Sequence, residues 1–377
     1  MAQQDAAPAL KEIFNVAALE EIAQAVQRVH PAFPATRFLA LCAEGHADMA
    51  LMARLHRVSE ALHATLPADY LTALDILLRL VPHLKRGFLT LFLPDFVARY
   101  GLHSFEPSME ALKAFTPYGS SEFAVRAFLR QDFDRTLAVM QEWAGDDDPH
   151  VRRLASEGSR PRLPWSFKLD RLVADPAPVR PILTALNADP SLYVRKSVAN
   201  HLNDISKDHP GWALDLIGAW PRDVPETAWI TKHALRSLIK AGDGRALALI
   251  GAGGPAQARV ADLQISPAAL ALGGEITLSF ALISDAAEAQ RLVVDYAVHY
   301  VKKSGGSAAK VFKLKLLTLD PGAVLHLSQR RALRNFTTRV HYPGRHRVDI
   351  LVNGAVLASG AFDLLPEASE GQGTALP

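Results

Sequence analysis

Between Asp146 and Trp165 the sequence D-D-D-P-H-V-R-R-L-A-S-E-G-S-R-P-R-L-P-W brings together Arg152, Arg153, Arg160 and Arg162, the carboxylate Glu157 and the indole of Trp165. Clustered guanidinium forks suit phosphate oxygens. A tryptophan stiffened by Pro164 and flanked by arginines can stack on a nucleobase or a cationic ring. Blander roles are open to the same residues. Arg153 and Glu157, at i and i+4, could form an exposed helix pair worth about 0.3–0.5 kcal/mol, and Trp165 could anchor the next helix in the core. Glu122, in P-Y-G-S-S-E-F-A-V-R, is either a reacting acid or a carboxylate that favours a helix N-terminus.

A second block, D-P-S-L-Y-V-R-K-S-V-A-N-H-L-N-D from Asp189 to Asp204, echoes the first. Aligning Val151 with Val194 gives an offset of 43 residues, within the range of HEAT and armadillo repeats. Val194, Val198, His201 and Ile205 share the inward face of a helix, leaving Lys196, Asn200, Asp204 and Lys207 as a polar stripe. Two neighbouring helices would then each present cations and one carboxylate to a shared groove. Other chemistries find little support, because no G-x-x-x-x-G-K-[ST], H-E-x-x-H or G-x-S-x-G motif occurs. The histidines are scattered, and His201 and His209 read as core and surface residues. Lys302 and Lys303 precede Ser304-Gly305-Gly306-Ser307 at a loop tip, where charge serves either binding or solubility.

The elements that must position these groups are helices through the first two thirds of the chain. Phe14, Ala17, Leu19, Ile22, Val26 and Val29 fall near one helical face, as do Leu71, Leu74, Leu77, Leu78 and Val81. Turns are expected at His30–Pro34, Leu66–Ala68 and Thr116–Gly119. Asp148-Pro149, Asp175-Pro176 and Asp189-Pro190 read as helix starts, each with an N-cap acceptor before a proline. A further helix from Thr231 lies 37 residues beyond Val194, so residues 1–250 are read as a degenerate helical solenoid. Residues 251–258, with their glycines, form a linker. Beyond it the period falls towards two, in E-I-T-L-S-F-A-L-I-S, R-L-V-V-D-Y-A-V-H-Y-V, K-V-F-K-L-K-L-L-T-L and R-H-R-V-D-I-L-V-N-G-A-V. Residues 259–366 are therefore expected to form an antiparallel immunoglobulin-like β-sandwich of about seven strands, and residues 367–377 a disordered tail.

Composition sets the outer limits. The 377 residues exceed one typical core, and 49% hydrophobic with 21% charged residues is the make-up of a globular protein. A net charge of +2 provides no whole-molecule basic field, so an anionic partner must be met by a local patch. The single cysteine, Cys42, allows neither an internal disulfide nor a thiolate metal cluster and reads as a core residue. No signal peptide and no membrane span are read, which makes the cytoplasm the expected compartment.

The blocks R-L-A-S-E-G-S-R-P-R-L-P-W and V-R-K-S-V-A-N-H-L-N-D resemble the AlkC group of bacterial DNA alkylation repair glycosylases, relatives of the HEAT-like AlkD enzymes. No departure occurs within either block, and the helical region from about residue 10 to 250 is consistent with the group. The resemblance implies hydrolysis of the N-glycosidic bond of cationic 3-methyladenine and 3-methylcytosine in double-stranded DNA, by a monomer, without metal or cofactor and without full base flipping. It also implies Glu157 and Asp204 as the leading catalytic carboxylates, Trp165 as the aromatic that meets the lesion, and Glu122 as a third acid. Arg152, Arg160 and Lys196 would hold phosphates, with Arg153, Arg162 and Lys207 in the same cationic surface. Lys302 and Lys303 would reach the duplex from the β domain, a domain present in only part of the group. The competing class is a non-enzymatic helical-repeat adaptor that binds DNA or protein through the arginine surface.

Overall fold

The computed structural model describes residues 10–335 and 340–366, so the tail expected at 367–377 lies outside the described residues. An all-helical unit ends at Ala234 and a second compact unit starts at Leu235. Composition had placed the division near residue 250. The short helices Arg236–Lys240 and Gly244–Leu249 instead group with the strands. The turn between them docks on a strand turn through glycines, since a Cβ on Gly354 would fall 2.2 Å from the Gly242 Cα.

In the helical unit the apolar faces set the packing. Helix Val16–Val29 is capped by the Asn15 side chain and buries Leu19, Ile22 and Val26, while Ala17 is exposed. Phe14 precedes this helix in a 3-10 turn and is also buried. Helix Tyr70–Leu80 starts at Asp69 and buries Tyr70, Ala73, Leu74, Leu77 and Leu80. Leu71, expected inside, is half exposed because the aromatic ring of Tyr70 takes the inward position at this end.

The paired helices at the site follow the sequence more closely. Asp148 caps helix Pro149–Gly158 by accepting from the His150 N–H at 2.8 Å, with Pro149 in the first turn. The other Asp-Pro steps differ. Asp175 leads only into the 3-10 turn Ala177–Val179, and helix Leu192–Ile205 starts two residues after Pro190 with Ser191 as its N-cap. Asp189 is thereby free to meet Arg152. The helix expected from Thr231 begins at Pro225 and ends at Ala234. Helix Leu192–Ile205 packs on both Pro149–Gly158 and Pro225–Ala234.

The repeat is visible in hydrogen bonds. Arg152 Nη1 donates to the carbonyls of Asp146 and Asp147, and Arg195 Nη1, 43 residues on, donates to those of Asp189 and Pro190. Among the described residues no helix is long and apolar enough to cross a membrane.

The second unit is a β-sandwich. Its strands are β1 (Ala258–Ser266), β2 (Ala269–Leu270), β3 (Glu275–Ser284), β4 (Gln290–Val301), β5 (Ser307–Leu319), β6 (Val324–Ala332), β7 (Gly344–Val352) and β8 (Ala355–Leu364). One sheet has the order β1-β3-β6 and the other β2-β8-β7-β4-β5. All pairs are antiparallel except β2 with β8, a two-residue parallel contact that sequence periodicity does not reveal. The core is the alternating set Ile276, Leu278, Phe280 and Leu282 against Leu292, Val294, Val298, Val348, Ile350 and Phe362. The run R-H-R-V-D-I-L-V-N-G-A-V is two strands joined at Asn353-Gly354, with φ of 48° and 81°, the left-handed pair that a tight hairpin requires.

Candidate active site

Helices Pro149–Gly158 and Leu192–Ile205 turn Glu157 and Asp204 into one buried network. Glu157 is 6% exposed and Asp204 3%. Arg160 bridges them. Its Nη1 donates to Glu157 Oε1 at 2.6 Å, and its Nε and Nη2 reach Asp204 Oδ2 at 2.9 and 2.8 Å. Ser197 Oγ donates to Glu157 Oε2 at 2.6 Å, and Lys207 Nζ meets Asp204 Oδ1 at 3.0 Å. On the other side Arg153 donates to Glu122 and, at 2.9 Å, to Ser120 Oγ, and its Nη2 stands 3.7 Å from Glu157 Oε1. The acids and bases thus alternate as Glu122, Arg153, Glu157, Arg160, Asp204 and Lys207. Buried carboxylates of this kind persist because each faces a cation and retains its hydrogen bonds.

A groove of about 450 Å³ opens over this network, and its lining includes Glu122, Arg153, Glu157, Arg160, Trp165 and Tyr193. Asp204 is absent from the lining because Arg160 lies across it. Trp165 is 67% exposed, which excludes the core-anchor role, and its φ of 62° is left-handed. Its ring meets Phe88 edge-to-face at 6.3 Å. A second cavity of about 390 Å³ also borders Trp165, and its lining adds His56, Asp95, Ser166 and Phe167 to apolar side chains.

Tyr193 was missed by sequence reasoning. It is 40% exposed and carries the Arg153 guanidinium 4.9 Å from its ring centroid. Burial pushes its phenol pKa up, with Arg153 opposing. The available signal was the aromatic in S-L-Y-V-R-K at the second position of a helix start, where the core pattern does not call for one.

Beneath the groove His201 is fully buried, and burial followed by the Arg160 charge brings its pKa down to about 3. It is a neutral core residue. His209 Nε2 donates to the Val173 carbonyl at 2.8 Å, and the residue is part-buried.

The expected arginine patch is largely neutralised inside the protein. Arg152 forks onto Asp189 at 2.6 and 3.2 Å and ties down the Asp146–Asp148 turn, so it is a strut and not a free phosphate contact. Arg162 forks onto Asp208 at 3.0 and 2.8 Å. Arg153, Arg160 and Lys207 are engaged as described above. Each guanidinium finds a carboxylate because the second repeat and the 120–122 turn supply acids that local spacing cannot show. Lys196 is exposed on its helix. Lys302 and Lys303 are exposed at the β4–β5 turn, where the Lys302 N–H donates to the Gly306 carbonyl at 2.7 Å. Among the described residues no group of three or more His, Cys, Asp or Glu side chains is arranged to hold a metal ion.

Paired helical repeats carrying a carboxylate groove with exposed aromatic rings, followed by a β-sandwich, define a two-unit class of helical-repeat protein. A solved structure of the Pseudomonas fluorescens alkylpurine DNA glycosylase AlkC, bound to DNA containing an abasic site analog, is similar over 95% of this chain and 100% of that one, at 56% identity and a TM-score of 0.92. A Bacillus subtilis (strain 168) relative described as uncharacterized protein YhaZ is 41% identical over 94% of this chain and 99% of its own length. Residues 259–366 match the family model described as the C-terminal Ig-like domain of YhaZ, so the sandwich is immunoglobulin-like. The chain belongs to the AlkC family of DNA glycosylases, hydrolases of N-glycosyl bonds.

Proposed function

We propose that this protein removes cationic N3-methylated bases, 3-methyladenine and 3-methylcytosine, from double-stranded DNA, working as a monomer in the cytoplasm and without turning the base fully out of the helix. The observation that carries this reading is the groove in which Glu122 and Glu157 face the same space as the rings of Trp165 and Tyr193. A methylated base already bears positive charge and leaves as a neutral molecule, so a strong general acid is unnecessary. The remaining work is to stabilise the oxocarbenium-like sugar and place a water, which suits carboxylates in a partly dehydrated site. The exposed indole favours a cationic ring over its neutral parent.

Glu157 is the leading carboxylate, rigid between Ser197 and Arg160, with Glu122 beside it. Asp204 joins them when a phosphodiester competes for Arg160 and Lys207, the cations that cover it. Lys196, Lys302 and Lys303 contact the backbone. Release of free 3-methyladenine from methylated duplex DNA tests the reading. Glu157→Gln should lower the excision rate by roughly 10²-fold or more, the scale for losing a transition-state charge partner, with DNA affinity largely retained. Full activity in this variant would refute the assignment. DNA binding with no base release from the folded wild-type protein would favour the passive adaptor.

A further inference from the structure

The segment from Ser159 to Ser166 carries both Arg160 and Trp165, yet it contains neither helix nor strand. A bulky residue with a left-handed backbone persists only where its surroundings over-determine it. Trp165, at φ 62° and 67% exposed, meets Phe88 through its ring, a contact that does not fix its backbone. The fixing comes from Arg126, on helix Val125–Gln131, which is 0% exposed. Its Nη1 donates to the carbonyls of Gly158 at 3.1 Å and Arg160 at 2.7 Å, and its Nη2 donates to that of Phe167. One guanidinium therefore grips both the start and the end of the loop. The Phe167 ring lies between two cations, 5.3 Å from Arg126 and 4.7 Å from Arg130, which fastens the far end again.

This grip is chemically unusual. Its polar partners are backbone carbonyls, its Nε has no hydrogen-bond partner, and no carboxylate contact offsets the desolvation of the buried cation. Burial and the Arg160 charge pull its pKa down to about 10, which leaves it cationic at neutral pH. A neutral donor or water could satisfy one carbonyl, but only a planar five-donor fork reaches three in fixed directions.

We propose that Arg126 is a positioning residue for base excision: by clamping both ends of the 158–167 loop it aims Trp165 into the groove. The proposal rests on the reading of Trp165 as the ring that meets the lesion. It is tested with the full chain by single-turnover release of 3-methyladenine from duplex DNA, comparing wild type, Trp165→Ala, Arg126→Lys and the double variant. Lysine keeps the charge but not the fork. Arg126→Lys should slow excision roughly 10- to 100-fold, the scale of a misplaced active-site group, with DNA affinity little changed. The double variant should be no slower than Trp165→Ala by more than a small factor, because both changes remove the same placement. If the two losses multiply, or if Arg126→Lys excises at the wild-type rate, the positioning role is overturned. If Arg126→Lys does not fold, Phe167→Leu, at a 39% exposed ring gripped by the same clamp, takes its place under the same criterion. A Trp165→Ala variant with undiminished rate would instead overturn the reading of Trp165 itself, and the clamp with it.

Discussion

The two units differ in what occupies the centre of their buried interiors. The immunoglobulin-like unit fills its centre with Ile276, Leu278, Leu292, Val348 and Ile350, all without polar atoms in their side chains. The helical unit, in the region of residues 122–207, buries Arg126, Arg160, Glu157, Asp204 and His201 among its core residues. An apolar core stabilises by burial and dispersion and tolerates small changes in proportion to the atoms removed. A charge ladder contributes little net stability, because desolvation offsets the Coulomb attraction, but losing one rung leaves its neighbours uncompensated. The comparison teaches that the helical unit accepts this fragility where carboxylates are held rigid beside an open groove.

The sharpest way to break the comparison is to remove one rung. Arg160→Met should destabilise the helical unit by about 3–5 kcal/mol, since Glu157 and Asp204 both lose the buried cation that bridges them and keep only Arg153 and Lys207 at their outer sides. Ile350→Val in the sandwich should cost about 0.5–1.5 kcal/mol. Denaturant midpoints of the two variants measure this, and equal shifts would show that the ladder is no more brittle than the hydrocarbon core.

Acid should divide the units by sign. His201 binds its proton near pH 3 when folded but near 6.5 when unfolded, so its contribution is present above pH 6.5 and is lost as pH falls towards 3. The slope approaches about 1.4 kcal/mol per pH unit. Asp295 in β4 runs the other way. Burial, opposed by Lys313 and Lys240, raises its pKa from 3.8 to about 6. Its contribution is full below pH 3.8 and disappears as pH rises through 6. Stability measured from pH 7 to pH 4 should therefore fall less steeply in a His201→Phe variant than in wild type, and Asp295→Asn should fall more steeply. Parallel curves for all three would remove the contrast.

The smallest effect is expected at the edge of the ladder. Arg162 and Asp208 are partly exposed and screened by solvent, so Arg162→Ala should leave the denaturant midpoint close to that of the wild type. A loss comparable to that of Arg160→Met would extend the brittle network to the surface.

Much of this architecture was legible because it is local. The 43-residue echo survives as the matching carbonyl contacts of Arg152 and Arg195, since helix-start geometry depends on neighbouring residues alone. The alternating runs at Glu275–Ser284 and Gln290–Val301 are strands for the same reason. The inward-facing Val194, Val198, His201 and Ile205 follow from helical period. The site was legible only in part. Arginines that look like a free patch in sequence are held by Asp189, Glu122, Asp204 and Asp208, acids brought up from more than thirty positions away. Tyr193 offered only its place as an aromatic at a helix start, and Arg126 carried no signal that distinguished it from an ordinary helix residue.

By itself the sequence determined the elements: a helical-repeat region, a β-sandwich, and the clustering of Glu157, Arg160 and Trp165 within one turn-rich segment, because periodicity, caps and covalent proximity are written along the chain. Tertiary structure alone decided which cations remained available, which carboxylates faced the groove, and that Trp165 stands out of the core with Arg126 clamped beneath its loop. Those outcomes depend on which charges meet across packed helices, and the strength of such encounters is set by burial and distance, quantities that exist only once the chain has folded.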